Sequence, residues 1–301
     1  MKVKLTCPMH RNGITFFLLL TLFNCHYSRK LPVTSYYEYD RELPLQTKLI
    51  LYKTEDQSLE IFKVEFQSTH QQKVSGILTY PVTAQQPLPV IILIHGLWDR
   101  KEVDYIEGGA RLLNDAGFAV LRLDLYNHGQ RQLQRFDFSF DGSTRYQSRE
   151  MITQSVFDIR RAIDFLGTLD QVDANRIGYM GISLGGIIGT IVTSVDARIK
   201  VPVIVLAGGN INLMFGLKAW SGQHKNYLGV MDPINFVDQI APRPLLMLNA
   251  ENDEVVPPIT SKLLYKKARQ PKQIIWYPAK HKTIPVLEVY QEGIQWFQKY
   301  L

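Results

Sequence analysis

Arg176-Ile-Gly-Tyr-Met-Gly-Ile-Ser-Leu-Gly-Gly186 reads as a short buried strand, residues 176–180, that turns abruptly into a helix of small and apolar residues from Leu184 onward. Between the two lies Gly181-Ile-Ser-Leu-Gly185, a G-x-S-x-G spacing. Such a turn holds its tip residue, Ser183, at strained dihedral angles. It also brings two chain segments so close that a side chain at 181 or 185 would collide with neighbouring backbone. The N-terminus of the following helix is aimed at the Ser183 hydroxyl, which places the Leu184 N–H where a developing oxyanion would sit. Five residues alone would equally describe a glycine-rich turn with an inert serine, so the rest of the chain decides.

On either side of this stretch the pattern is regular. Residues 59–66 and 73–80 alternate apolar and polar side chains across a polar connection, as a hairpin does. Residues 90–94 form an unbroken β-branched and leucine run, the pattern of a strand buried on both faces. A helix near 103–116, a strand at 118–125 and a helix at 149–166 lead to the serine strand. Beyond it come strands at 201–206, 245–248 and 273–277, with helices near 259–268 and 284–300. This alternation predicts an α/β fold: a doubly wound, mostly parallel sheet with an antiparallel N-terminal edge. Two insertions, 130–146 and 210–236, leave the C-terminal ends of strands, where an open α/β sheet binds ligand. Their aromatics, among them Phe215, Trp220 and Tyr227 with His224, suggest a small lid or a pocket wall; a surface excursion without a role is the alternative.

The 301 residues, 46% hydrophobic and 21% charged, suffice for one large domain with a real core. The net charge of +6 is dispersed, densest around Lys262, Lys266, Lys267, Arg269 and Lys272. No basic run interleaved with aromatics indicates nucleic-acid binding. The start differs in kind. Lys2, Lys4, His10 and Arg11 precede an apolar run at 14–23, too short to span a bilayer comfortably and suited to the core of an export signal. The run ends at Leu22-Phe-Asn-Cys25, which looks like the cleavage box of a bacterial lipoprotein, although Asn24 stands where a small residue is usual. The expected division is an export signal at 1–25, an N-terminal arm at 26–58 and a folded domain at 59–301. Membrane attachment through a lipidated Cys25 follows from this reading, with a soluble periplasmic or secreted protein and an uncleaved anchor as the alternatives. Cys7 and Cys25 are the only cysteines. A body without thiols has no internal disulfide, cysteine nucleophile or thiolate metal site.

A serine hydroxyl is a poor nucleophile until a base takes its proton and a carboxylate orients that base. In this architecture the partners follow the serine in the order acid, then histidine, each just after a strand. Leu245-Leu-Met-Leu-Asn-Ala-Glu-Asn-Asp253 runs from a strand into a turn, with Val255-Val-Pro257 beyond it. Gln273-Ile-Ile-Trp-Tyr-Pro-Ala-Lys-His281 is the next strand and its loop. Glu251 is the fallback acid.

With these residues the chain resembles the α/β-hydrolase superfamily, closest to its dienelactone hydrolase, acetyl xylan esterase and prolyl oligopeptidase-like branches. The resemblance covers residues 59–301 and includes His95-Gly96, the Asp124-Leu-Tyr-Asn-His-Gly129 turn, the serine turn, Asp253 with its Val-Val-Pro, and His281. It implies Ser183 as nucleophile, His281 as base and then acid, and Asp253 as the group that holds the imidazole tautomer. Leu97 would supply the second oxyanion N–H beside that of Leu184. His95 and His128 are read as structural, and His224 as surface or pocket lining. Two features depart from the superfamily: Lys280 stands where a small glycine usually precedes the histidine, and Leu97-Trp-Asp-Arg100 lacks the glycines of the lipase-type oxyanion loop. The expected activity is hydrolysis of a small-molecule carboxylic ester through an acyl-enzyme, without a metal or organic cofactor. A peptidase of the prolyl oligopeptidase-like type and a non-catalytic binding protein on the same fold are the alternatives. No sequence signal sets an oligomeric state.

Overall fold

The structure is a computed structural model that describes residues 32–55, 58–82, 87–140, 142–215 and 228–301. In chain order the described elements are β1 (Lys48–Glu55), β2 (Leu59–Gln67), β3 (Lys73–Pro81), β4 (Leu88–Ile94), α1 (Asp104–Asp115), β5 (Ala119–Leu123) and α2 (Arg145–Leu166). They continue with β6 (Val172–Ile182), α3 (Leu184–Val195), β7 (Ile199–Val205), α4 (Ile211–Phe215), β8 (Leu245–Ala250), α5 (Pro258–Lys267), β9 (Lys272–Tyr277) and α6 (Val286–Tyr300). The strands form one nine-stranded sheet in the order β1-β2-β3-β5-β4-β6-β7-β8-β9. Neighbours from β1 through β3 to β5 pair antiparallel, and β5, β4, β6, β7, β8 and β9 pair parallel. This is the doubly wound sheet with an antiparallel edge that the sequence predicts.

Two apolar cores flank the sheet. Alternate residues of β6 serve opposite cores, Tyr179 with α2, α3 and α5, and Met180 with α1 and α6. The period of two along a strand is what lets one segment hold both layers together. Among the described residues no helix is long and apolar enough to cross a membrane.

The division at residue 59 falls too late. β1 lies inside the expected arm and pairs with β2 along its length. Its four consecutive apolar residues, Leu49 to Tyr52, are exposed at the sheet edge, so they carry no alternation that would mark a strand. The segment before β1 is also part of the packed body. Tyr37 is fully buried and donates to the Val230 carbonyl at 2.5 Å. Arg160 donates to the Tyr37 carbonyl, and Arg161 to the Leu43 carbonyl at 2.5 Å. Asp164 accepts from Tyr39 at 2.9 Å, Arg161 at 2.7 Å and Arg198 at 2.6 Å. These bonds explain how α2 buries two arginines: the chain laid over it supplies their acceptors. The leader and Cys25 lie outside the described residues, as do Trp220, His224 and Tyr227.

The 130–146 insertion packs against the loop after β4. Phe136 meets Trp98 edge to face at 5.2 Å between ring centroids, and α2 begins at Arg145, inside the insertion. His95 and His128 tie the loops after β4 and β5 together. His95 Nε2 accepts from the Leu125 N–H at 3.2 Å, which leaves its Nδ1–H to donate to the Gly96 carbonyl at 2.7 Å. His128 Nδ1 donates to the Tyr126 carbonyl at 2.8 Å, and its ring stacks on Trp98. Both rings are buried and structural, as read from the sequence.

Burial pushes both imidazoles down to about 4. In the unfolded chain each takes a proton near the ordinary histidine value of about 6.5. Between those values the unfolded chain binds more protons, so stability falls as pH falls. Urea midpoints should decline from pH 7 toward pH 4.5, and a flat profile would contradict neutral, buried rings. Adjacent glycines on α1 give a second check. An added Cβ at Gly109 would stand 1.9 Å from a ring carbon of buried Tyr290, whereas at Gly108 it meets nothing within 4 Å. Gly109→Ala should cost about 3 kcal/mol by overpacking, and Gly108→Ala should stabilise by about 0.5–1 kcal/mol through helix propensity, read from denaturation midpoints.

Candidate active site

The turn from β6 into α3 has the tight geometry expected of it. Ser183 sits at φ 56°, ψ −113°, a conformation L-residues rarely adopt. Its N–H donates to the Val205 carbonyl of the neighbouring strand at 2.9 Å. A Cβ at Gly181 would lie 2.3 Å from the Gly185 carbonyl oxygen, and one at Gly185 would lie 2.6 Å from the Ile94 carbonyl oxygen. Both collisions are with backbone, so neither can be relieved by a rotamer change. Beneath the turn, the buried Tyr179 hydroxyl donates to the Gly185 carbonyl at 2.6 Å.

The loops after β8 and β9 bring the two expected partners to this serine. Asp253 is buried, and its carboxylate is fully engaged. Oδ1 accepts from the N–H groups of Val255 at 2.8 Å and Val256 at 2.7 Å, and Oδ2 faces His281 Nδ1 at 2.8 Å. A carboxylate accepts only, so Nδ1 carries the proton and Nε2 is left as the acceptor. Nε2 lies 3.1 Å from Ser183 Oγ. The hydroxyl therefore donates to the imidazole, and the imidazole donates to the carboxylate. Glu251 is exposed, and Asp253 is the carboxylate that meets the ring. Glu254, which the sequence reading did not single out, accepts from the His281 backbone N–H at 3.3 Å. Lys280 is exposed at φ −95°, ψ 172°, extended backbone open to any residue, so no conformational need for glycine exists there.

Leu184 is the first residue of α3 and has no intrahelical acceptor for its N–H. On the opposite side, the turn Gly96-Leu-Trp-Asp99 approaches the serine: a Cβ on Gly96 would stand 3.5 Å from Ser183 Cβ. Trp98 takes the left-handed position of that turn at φ 63°. Tyr105, on the first turn of α1, accepts from the Gly96 N–H at 2.9 Å and donates to Asp99 Oδ2 at 2.7 Å. Neither residue was singled out from sequence. Their contact spans a turn and a helix start, and no local pattern announces it.

Ser183 and His281 open into a cavity of about 490 Å³. Its walls are mostly aliphatic, from Val205, Leu206, Val255, Ile284, Val286 and Val289, with Leu97, Tyr105 and Lys282 also on the lining. Among the described residues, neither insertion contributes to this lining. Among the described residues no group of three or more His, Cys, Asp or Glu side chains could hold a metal ion.

Comparison with known proteins agrees with this architecture. The sequence model of the acetyl xylan esterase (AXE1) family matches residues 35–206, more than half of the chain, a span that includes Ser183 and ends before Asp253 and His281. The Bacillus subtilis (strain 168) protein YtaP is 25% identical over 203 residues, 62% of this chain and 67% of that protein. The acetyl xylan esterase from Paenibacillus sp. R4 superposes with a TM-score of 0.72 at 21% identity, covering 98% of this chain and 97% of that one. Acetyl xylan esterase 1 from Thermoanaerobacterium sp. JW/SL YS485 gives a TM-score of 0.71 at 17% identity, covering 89% and 92%. These two likenesses establish the fold as that of the α/β-hydrolases, and the family match goes further: the chain belongs to the acetyl xylan esterase family and is a carboxylic ester hydrolase.

Proposed function

We propose that Ser183, His281 and Asp253 form the catalytic triad of this esterase and that turnover passes through an acyl-enzyme on Ser183. The observation that carries the reading is the unbroken hydrogen-bond series, 3.1 Å from Ser183 Oγ to His281 Nε2 and 2.8 Å from His281 Nδ1 to Asp253. As Ser183 Oγ bonds to the ester carbonyl carbon, its proton passes to His281 Nε2, and the Asp253 carboxylate stabilises the imidazolium so formed. The negative oxygen of the tetrahedral intermediate lies between the N–H groups of Leu184 and Leu97. The intermediate collapses by breaking the bond to the alcohol, which leaves with the proton from Nε2. Water then attacks the acyl-enzyme carbonyl and gives its proton to the same nitrogen; as the bond to Ser183 Oγ breaks, that proton passes to Oγ, which frees Ser183 and releases the carboxylic acid.

Family and cavity together support a substrate class. The family match supports short acyl esters of a carbohydrate alcohol. The aliphatic walls suit the acyl part, and the cavity exceeds an acetyl group enough to admit part of the alcohol. The 1–25 segment we further propose to be an export leader, with Cys25 as the site of cleavage and lipidation. Its composition supports that reading, and mass spectrometry of the N-terminus of the purified protein tests it. An unprocessed Met1 terminus would overturn it.

Ser183→Ala should lower kcat for p-nitrophenyl acetate by on the order of a millionfold, and Asp253→Ala by on the order of ten-thousandfold, as for other triads. A fluorophosphonate probe should label the parent protein at Ser183 and leave Ser183→Ala unlabelled. Ester panels should show turnover of acetylated sugars and no cleavage of peptide amides. Retention of activity in Ser183→Ala would remove the proposal.

A further inference from the structure

We propose that Tyr105, together with Asp99, is the positioning pair that holds the Leu97 N–H in register with Ser183. The inference rests on the ester-hydrolase mechanism above. It starts from a weakness in the loop after β4. The turn Gly96-Leu-Trp-Asp99 is closed by a long backbone hydrogen bond, from the Asp99 N–H to the Gly96 carbonyl at 3.4 Å. Its left-handed position at φ 63° is occupied by Trp98, not by glycine. A turn with a bulky left-handed residue and one long internal bond needs restraint from outside.

The restraint comes from a single hydroxyl. Tyr105 Oη accepts from the Gly96 N–H at 2.9 Å and donates to Asp99 Oδ2 at 2.7 Å, so it joins the first and last residues of the turn. Burial raises the Tyr105 hydroxyl pKa, which keeps its proton available for donation. Its mounting is rigid. Ile106, Ala110 and Leu113 of α1 are buried, and Gly109 lets the Tyr290 ring lie directly against the helix backbone. Gly96 lies between this hydroxyl and the nucleophile, tied to the hydroxyl by its own N–H: a Cβ there would be in ordinary contact with both, 3.4 Å from Tyr105 Oη and 3.5 Å from Ser183 Cβ. A shift of Gly96 is thus passed to the next N–H in the chain, that of Leu97. Oxyanion donors act only within a narrow range of distance, so a small displacement is felt in the transition state and hardly in substrate binding. Tyr105 works through Leu97 and does not itself touch the reacting atoms.

The test is Tyr105→Phe, which keeps the ring and removes both bonds. Expected are a fall in kcat of about tenfold to a hundredfold with KM within about twofold of the parent value. Affinity for a trifluoromethyl ketone, which forms a tetrahedral adduct, should fall by a factor similar to kcat, with little change in thermal midpoint. Asp99→Asn retains an amide oxygen as acceptor for the Tyr105 O–H and should restore most of the activity lost in Asp99→Ala. Parent-like kcat in Tyr105→Phe, or a kcat loss with unchanged ketone affinity, overturns the positioning role. If Tyr105→Phe does not fold, the Asp99 pair decides alone: equal activity in Asp99→Asn and Asp99→Ala overturns the proposal. Ser183→Ala separates the two layers. An active Ser183→Ala removes the mechanism, whereas an inactive Ser183→Ala beside a parent-like Tyr105→Phe removes only the inference about Tyr105.

Discussion

Ser183 is held at φ 56°, ψ −113°, a backbone state that costs a non-glycine residue on the order of 1–3 kcal/mol. The chain around it is arranged so that no relaxed alternative is available. Gly181 and Gly185 allow β6 and α3 to approach within distances no side chain could fill. Gly186 faces Ala207 and Gly189 faces Tyr179 just as closely. Tyr179, fully buried, braces the turn from below by its bond to the Gly185 carbonyl. The central place of β6, between β4 and β7, gives the strained residue neighbours on both sides, and the Val205 carbonyl takes its N–H. Strain of this kind persists only where packing over-determines it. The middle of a nine-stranded sheet is such a place.

Around that turn the site is built from loops, and the loops hold one another through buried polar contacts. Lys101 and Asp124 form an ion pair at 2.5 Å, with both side chains almost fully buried. Asp124 also accepts from the Lys101 and Gln130 N–H groups, and Gly129 gives it room at φ 51°. Such a pair adds little net stability, yet removal of one member leaves a buried charge at a cost of about 3–5 kcal/mol. Its effect is to couple the loop after β4 to the loop after β5. His95 makes the same connection with a neutral ring, and Trp98 stacked on His128 adds an apolar contact to it. The turn that carries Leu97 is therefore flanked by fixed groups on the side away from the cavity it lines.

Legibility followed the range of the contacts. Ser183 was readable because its turn forces glycine at two local positions. Asp253 and His281 were readable because each lies in the loop just beyond a strand, in the chain order expected after the serine strand. β4 was readable from the unbroken apolar run at 90–94, which reflects burial on both faces, and the later parallel strands from their alternation with helices. β1 was not, because its apolar residues are exposed at an edge and show no period. No sequence pattern marks Arg160 and Arg161 of α2 as buried. They are buried because residues 37–43 cross over them and supply acceptors from more than a hundred residues away.

What belonged to the sequence was whatever depends on neighbours along the chain: the strand–turn–helix at Ser183, the loops after strands that hold Asp253 and His281, and the alternation that makes a doubly wound sheet. What belonged to the tertiary structure was whatever depends on groups meeting across elements. The Tyr105 bridge from Gly96 to Asp99, the bond from the His281 N–H to Glu254 and the docking of the N-terminal segment on α2 are of that kind. The reason is directional. A hydrogen bond needs its donor and acceptor within about 3 Å and aligned, a condition that composition and periodicity do not encode and that only the packed sheet and helices bring about.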